Sequence, residues 1–156
     1  MLASWPIPAD HDLIRERCTP FALENGLVGV IEKSGRVIGS IGCARLPEGD
    51  FGMGYGLHPD HWGQGFATEM AGALIAAMFR RADCDLISAG HFTDNPASRR
   101  VLAKLGFCYT HTAPLFSKGR GARADCAEYH LSRARWLEFQ GRNTYRLAPS
   151  AAKDKT

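Results

Sequence analysis

The sequence predicts a single α/β domain built on a mixed β-sheet. Its length of 156 residues suits one hydrophobic core. The first half alternates short β-rich runs with Gly and Pro turns, which is typical of antiparallel strands. The second half alternates β-rich runs with helical segments, which is typical of helical crossovers on a sheet. The predicted order is three antiparallel strands, then β–α–β–α–β, then a final strand.

The antiparallel part is predicted over residues 27–57. Residues 27–32 and 36–46 flank the turn Ser34-Gly35 and form a hairpin. The turn 47–50 then leads into a third strand over 51–57. This strand carries three glycines on one face, at positions 52, 54 and 56, which weakens it as a strand. We therefore expect another group to lie close against that face.

The crossover part begins with a helix over residues 66–81. Glu69 lies in its first turn and Arg80 and Arg81 in its last, which matches the helix dipole. A strand over 85–92 and a second helix over 95–105 follow, with Gly106 suited to the C′ position. Strands over 107–116 and 126–131 flank a basic loop that we expect to face solvent, with Lys118, Arg120 and Arg123.

The ends of the chain are predicted separately. An extended stretch over 5–8 precedes a short helix over 12–18, which Asp10 caps. No element is predicted directly after the final strand. Residues 1–140 are expected to form the domain, and the polar residues 141–156 a poorly ordered tail.

Charge and composition exclude several classes of protein. A net charge of +3 is too small to indicate a nucleic-acid-binding protein. The longest apolar run, residues 70–79, is shorter than the roughly 20 residues that cross a bilayer, and no export signal is visible, so we expect no membrane association. Five scattered cysteines favour a reducing cytoplasm. The histidines lack metal-ligand spacing, so no metal is expected.

The segment 57–69, Leu-His-Pro-Asp-His-Trp-Gly-Gln-Gly-Phe-Ala-Thr-Glu, is the most informative. A strand ends, a Gly-rich loop follows, and a helix begins at once. The first turn of a helix offers unpaired N–H groups and partial positive charge, which suits a phosphate; a plain connecting turn explains the glycines equally well. The P-loop and the dinucleotide fingerprint do not fit, because no Lys follows the glycines and Thr68 stands where Gly or Ala is required.

Two motifs carry a resemblance to a known family. The stretch Trp62-Gly-Gln-Gly-Phe-Ala67 resembles the pyrophosphate-binding motif Arg/Gln-x-x-Gly-x-Gly/Ala of the GNAT superfamily of acyl-CoA-dependent N-acetyltransferases, with Trp in the opening position. The longer pattern Trp-Gly-x-Gly-Tyr/Phe-Ala-Thr-Glu resembles the Rim-type branch (ribosomal-protein N-terminal acetyltransferase-like). Downstream, Asn95-Pro-Ala-Ser98 and Leu105-Gly-Phe107 resemble the opening and the close of a helix in the same branch.

The resemblance covers roughly residues 5–135 and implies a GNAT-like fold and acetyl-CoA as cosubstrate. It implies that Leu57 contacts the pantetheine and polarises the thioester through its backbone, and that Asn95 contacts the pantetheine arm. The resemblance also places Ser98 where a tyrosine or serine near the sulfur protonates the leaving thiolate; members that use a tyrosine carry it later in this helix, where this chain has Leu102. Asn95 and Ser98 are also ordinary helix-capping residues. Backbone N–H groups that would bind the pyrophosphate belong to Gln64, Gly65, Phe66, Ala67 and Thr68.

The general base is not identified from the sequence. Many Rim-type members carry a Glu in the third strand, where this chain has Gly52. His91 has a suitable intrinsic pKa, although a strand histidine more often only satisfies hydrogen bonds. Without a strong base a low-pKa amine is favoured, since at pH 7.5 roughly a third of an α-amine is neutral against about 0.1% of a lysine. We therefore expect the acceptor to be a peptide N-terminus or a small activated amine.

The resemblance also implies that the family's usual first strand and helix are missing ahead of Trp5. A sheet without them has an open edge and exposed apolar surface, which a homodimer would cover. The missing carboxylate and the missing front element leave an alternative function open. In that alternative the chain is a catalytically degenerate CoA-binding or dimerisation module.

Overall fold

The fold is a six-stranded mixed sheet with helices, seen in a computed structural model that describes residues 23–81 and 83–142. The sheet order is β1-β2-β3-β4-β6-β5, in which only β3 and β4 are parallel neighbours. The predicted α/β fold with a mixed sheet and antiparallel N-terminal strands is thereby confirmed. The elements are β1 (Gly26–Lys33), β2 (Arg36–Arg45), β3 (Phe51–Leu57), α1 (Phe66–Met78), β4 (Leu86–Phe92), α2 (Pro96–Lys104), β5 (Cys108–Ser117), β6 (Ala122–Ser132) and α3 (Arg133–Arg142).

The two faces of the sheet differ in what they carry. On the face that we call the helix face, Met53 of β3 and Ala89 of β4 are buried in a core shared with Ile75 of α1 and Leu102 of α2. Strand side chains alternate between faces, so Tyr55 and His91 also lie on the helix face. The opposite face, which we call the open face, carries Gly54, Gly90 and Glu128; both glycines are exposed.

The sheet opens between β3 and β4. These strands pair only from Phe51–Ile87 to Met53–Ala89. Both strands continue past that point, to Leu57 and to Phe92, without further pairing to each other. A wedge-shaped gap therefore separates their C-terminal ends, and α1 and α2 each begin a few residues beyond it.

The helix α3 is the element that sequence reasoning missed. Contacts with distant parts of the chain hold this helix in place. Trp136 is only 5% exposed. The Arg133 guanidinium donates to the Arg81 and Cys84 carbonyl oxygens at 2.6 and 2.7 Å, and Arg135 Nε donates to the Gly106 carbonyl at 2.6 Å. The described helix runs to Arg142 and so crosses the predicted boundary between residues 140 and 141. The predictions for residues 5–18 and for the tail beyond 142 lie outside the described residues.

Helix ends agree with the sequence at one place and differ at another. Gly106 has φ +85° and closes α2, with the N–H of Phe107 donating to the Leu102 carbonyl at 3.1 Å, as predicted. Helix α1 ends at Met78, so Arg81 lies in the following turn and pairs with Asp83 instead of serving the last helical turn. Among the described residues, no helix combines the length and the apolar character that crossing a membrane requires.

Candidate active site

The predicted phosphate loop has the backbone of an anion cradle. Gly63 and Gly65 have φ +74° and +89°, a region that L-residues rarely adopt, and a Cβ added to either would meet no atom within 4 Å. The glycines are therefore required by the backbone and not by crowding. Gly65 is the N-cap of α1 and provides no side-chain cap. The N–H groups of Phe66, Ala67 and Thr68 consequently point out of the helix without intrahelical acceptors.

Side chains around this loop fix its position. The Gln64 Nε2 group donates to the Asp60 carbonyl at 2.9 Å. Lys33, at the end of β1, donates from Nζ to Gln64 Oε1 at 3.4 Å and lies 4.9 Å above the centre of the Phe66 ring. The ammonium group of Lys33 thus lies beside the loop. The loop itself has Trp62 at the position where the family motif has a basic or amide residue. Sequence reasoning missed Lys33 because only the β1–β2 hairpin brings it there.

Leu57 presents its backbone to the gap. The His58 N–H donates to the Ile38 carbonyl at 2.8 Å, so residues 58 and 38 form a hydrogen-bonded pair of the β2–β3 ladder. Antiparallel pairs alternate, so the N–H and C=O of Leu57 point away from β2 and towards the gap. The Trp62 indole Nε1 donates to the Leu57 carbonyl at 2.8 Å, which leaves the Leu57 N–H facing the gap.

Asn95 and Ser98 form a reciprocal cap at the start of α2. Asn95 Oδ1 accepts the Ser98 N–H at 3.1 Å, and Asn95 Nδ2 donates to Ser98 Oγ at 3.1 Å. Asn95 therefore caps α2, as its residue type allows. Because Ser98 Oγ accepts from Asn95, the proton of the serine hydroxyl remains available for another acceptor.

Tyr55 is a second hydroxyl at this place, and sequence reasoning missed it. Its oxygen is buried and has no hydrogen-bond partner of good geometry within residues 23–81 and 83–142. Burial raises the pKa of the Tyr55 phenol, and the neighbouring Ser98 hydroxyl partly offsets that rise. A buried hydroxyl without a partner is unusual in a folded protein and calls for an explanation, such as a catalytic role or a bound ligand. In family members that use a tyrosine it lies on the helix, where this chain has Leu102; Tyr55 lies on β3.

The ring of His91 is tied to protein groups on both sides. Its Nδ1 lies 2.8 Å from the Phe92 carbonyl, which only accepts, so Nδ1 carries the proton. In the neutral ring Nε2 then accepts the Tyr129 hydroxyl at 3.2 Å, and the two rings stack with their centroids 5.4 Å apart. This geometry favours a structural role for His91. Among the described residues, no three His, Cys, Asp or Glu side chains are grouped to hold a metal ion.

Lys118, Arg120 and Arg123 are exposed, as expected, but Arg120 also reaches the site. The Arg120 guanidinium makes two hydrogen bonds to Asp94, at 2.7 and 2.8 Å, and lies 4.5 Å above the Phe92 ring. Hydrogen bonding to Arg120 holds the pKa of Asp94 below its ordinary value. The pair fixes the β5–β6 loop to the β4–α2 turn, one residue before Asn95. Its partners are 26 residues apart, so no local pattern indicates it.

A cavity of about 1190 Å³ joins these parts. It is larger than most small-molecule pockets, which suits a long ligand. Every predicted site residue except Gln64 lines it. Other lining residues include Tyr55 and Glu128, which the sequence did not single out, and Arg120, which it expected to face solvent. The structure thus brings the phosphate loop, the gap and the start of α2 into one continuous space.

The sequence is similar to those of known acetyltransferases. An uncharacterized N-acetyltransferase, YoaA of Bacillus subtilis (strain 168), is 42% identical over 55 residues, which cover 35% of this chain and 31% of YoaA. The FsC-acetyl coenzyme A-N(2)-transacetylase of Aspergillus fumigatus is 31% identical over 91 residues, 56% of this chain and 38% of the relative. The chain therefore matches about a third of the length of these two relatives.

The fold and the family are established by two further findings. The ribosomal-protein-S5-alanine acetyltransferase of Vibrio fischeri superposes with a TM-score of 0.67 at 22% identity, over 86% of this chain and 81% of that one. At this identity the likeness concerns the fold. The family model described as acetyltransferase (GNAT) domain matches residues 2–108, more than half of the chain. The chain therefore belongs to the GNAT acetyltransferase family, whose cosubstrate is acetyl-CoA.

Proposed function

We propose that this chain transfers an acetyl group directly from acetyl-CoA to a primary amine. The observation that carries the proposal is the continuous cavity, which runs from the open N-terminus of α1 through the gap between β3 and β4 to Ser98. A phosphate-containing, elongated thioester matches that shape. Its pyrophosphate binds the loop N–H groups of residues 64–68, and its pantetheine arm lies in the gap against the Leu57 backbone and Asn95.

The reacting groups are assigned as follows in this proposal. A neutral amine nitrogen attacks the thioester carbonyl carbon, so that a C–N bond forms and the C–S bond breaks. The Leu57 N–H, which faces the gap, stabilises the developing oxyanion. Ser98 donates its hydroxyl proton to the leaving thiolate, Tyr55 returns a proton to Ser98, and solvent reprotonates Tyr55. The proton released by the amine passes to solvent. His91 holds β4 to β6 through Tyr129 and takes no proton in this scheme.

The acceptor class follows from proton availability. Ser98 and Tyr55 are proton donors to sulfur, and the ring nitrogens of His91 are occupied. A peptide N-terminus or a small amine of low pKa is then the best acceptor, because its neutral fraction at pH 7.5 exceeds that of lysine several hundredfold.

We also propose a setting and an assembly for the chain. Cys43, Cys84, Cys108 and Cys126 are free thiols, which supports a cytoplasmic, reducing compartment. Val28, Val30 and Val37 of the β1–β2 hairpin are each at least 60% exposed, which supports a homodimer that covers this edge. Sedimentation velocity at rising protein concentration measures this association.

Calorimetric titration with acetyl-CoA, with desulfo-CoA as control, tests the cavity. We expect a dissociation constant on the order of micromolar. Thiol release from acetyl-CoA then tests transfer, with three acceptors: a tripeptide amide with a free α-amine, spermidine, and Nα-acetyl-lysine amide. The peptide should react fastest. Binding without thiol release from any of them supports the degenerate CoA-binding module instead, and absence of binding refutes both functions.

A further inference from the structure

The open face holds a carboxylate at the point where the sheet separates. Glu128 of β6 pairs with Gly90 of β4, and paired residues point to the same face. Gly90 is the first β4 residue beyond the last β3–β4 pair, Met53–Ala89. A Cβ added to Gly90 would lie 2.7 and 2.8 Å from the two carboxylate oxygens of Glu128. The carboxylate thus rests over the β4 backbone at the mouth of the gap, where only glycine leaves room for it.

The charge of this carboxylate is not neutralised by a basic side chain. Within residues 23–81 and 83–142, no Lys or Arg forms an ion pair with Glu128. The basic side chain of the neighbouring loop, Arg120, is engaged by Asp94. Cys126 lies two residues away on the same face, and burial together with Glu128 raises the pKa of its thiol to about 12, so it is a neutral neighbour. Glu128 therefore adds a negative charge to the cavity wall at the gap, in a cavity that Arg100, Lys104 and Arg120 also line.

The surroundings of Glu128 leave space for a ligand on the open face. Gly54 faces the gap from β3, and a Cβ added there would meet no atom of the described part of the chain within 4 Å. Ser98 and Tyr55 belong to the other side of the gap, with α2 and the helix face. The acceptor can then approach a thioester in the gap from the glycine-lined open face, while the Ser98 and Tyr55 hydroxyls lie on the side of its sulfur.

We propose that Glu128 binds the ammonium group of the acceptor on the open face, beside the thioester. This inference rests on the proposed acetylation of amines and narrows its acceptors to those that arrive as cations. Glu128 is an acceptor-binding residue here: it collects the protonated amine, which then loses its proton before attack. It replaces, from β6, the carboxylate that sequence reasoning sought on β3 at Gly52.

Binding of a cationic probe to the CoA-saturated protein tests the inference without turnover. The probe is the tripeptide amide Ala-Ala-Ala-NH₂, compared with its lactoyl analogue, in which a hydroxyl replaces the α-ammonium. Glu128→Gln should weaken binding of the peptide about tenfold to a hundredfold, as expected for loss of a hydrogen bond between charged groups. The same variant should bind the lactoyl analogue and acetyl-CoA with the affinity of the wild type.

Two further variants separate position from charge. Asp125→Asn makes the same change of charge on the same strand, at an exposed residue on the other face, and should leave peptide binding unchanged. Gly90→Ala displaces the carboxylate and should weaken peptide binding, yet add nothing in a Glu128→Ala background.

The outcomes distinguish this inference from the proposed function. Equal peptide affinity in wild type and Glu128→Gln, or equal wild-type affinity for peptide and lactoyl analogue, overturns the role of Glu128. Absence of peptide binding to the wild type also overturns it. Glu128-dependent binding without thiol release refutes acetyl transfer and leaves the inference standing.

Discussion

Replacing Tyr55 by Phe separates stability from activity at the site. The variant removes a hydroxyl that is buried and that, among the described residues, has no hydrogen-bond partner of good geometry. Such a group costs about 1–3 kcal/mol of folding free energy. The small void left behind and the loss of the Ser98 interaction reduce the gain, so we expect a net stabilisation of about 1 kcal/mol. For a domain of this size, that corresponds to a rise in Tm of about 3 °C.

The same variant should lose activity. If Tyr55 supplies the proton that Ser98 passes to the thiolate, kcat should fall about a hundredfold, while the dissociation constant of acetyl-CoA stays unchanged. Scanning calorimetry of the ligand-free protein measures the first effect, and thiol release at saturating acetyl-CoA measures the second. An ordinary core tyrosine would behave in the opposite way, with stability lost and kcat kept.

Tyr109→Phe is the matched control for this experiment. Tyr109 is 57% exposed, and its hydroxyl is hydrogen-bonded to Thr112 Oγ1 at 3.0 Å. Removing it should change neither Tm nor kcat appreciably. A Tyr55→Phe variant that melts below the wild type and retains full kcat would refute the reasoning, because the hydroxyl would then be satisfied and outside the proton path.

The remaining predictions concern the phosphate loop and the core. Gly65→Ala should weaken acetyl-CoA binding about tenfold by calorimetry. An L-residue in the left-handed region costs roughly 1–2 kcal/mol, and its Cβ would enter the space of the pyrophosphate. The control Gly49→Ala, at φ +99° in equally open space, should leave acetyl-CoA binding unchanged. Lys33→Gln should weaken binding about threefold at low salt and less at high salt. Burial raises the pKa of Cys43 from 9.0 to about 12, so the protein should lose stability as pH rises from 9 towards 12, by about 1.4 kcal/mol per pH unit for this thiol; Cys43→Ala should flatten that slope in urea titrations.

Each of these predictions has a result that contradicts it. Equal loss of acetyl-CoA affinity in Gly65→Ala and Gly49→Ala would show that backbone strain acts globally and not at the ligand. A salt-independent effect of Lys33→Gln would point to packing on Phe66 and not to charge. The thiol of Cys43 is protonated in both folded and unfolded chains below pH 9, so a slope that persists there must come from other groups.

The parts of the site that the sequence predicts are those encoded locally. The phosphate loop depends on Gly63 and Gly65, whose positive φ values follow from their place between a strand and a helix. The cap of α2 depends on Asn95 and Ser98, three residues apart. In both cases the residues that act together are neighbours in the chain, so spacing alone carries the information.

The parts that the sequence does not predict are set by strand register and by distant packing. Lys33 reaches the loop through the turn of a hairpin, and Arg120 reaches Asp94 across 26 residues. Helix α3 has weak apolar periodicity and depends on contacts with Arg81, Cys84 and Gly106. None of these partners is visible in a local window, because each contact exists only once the sheet has formed.

The position of Glu128 shows why an aligned motif misled the search for a carboxylate. The motif places this residue on β3, and Gly52 stands there. The acceptor binding that we propose requires a negative charge at the mouth of the gap, and a side chain from any strand that reaches this point could supply it. The Glu128 carboxylate reaches this point from β6 because Gly90 has no side chain on the intervening strand β4. The glycine is therefore as informative as the carboxylate, and an exchange at Gly90 should disturb acceptor binding without any change of charge.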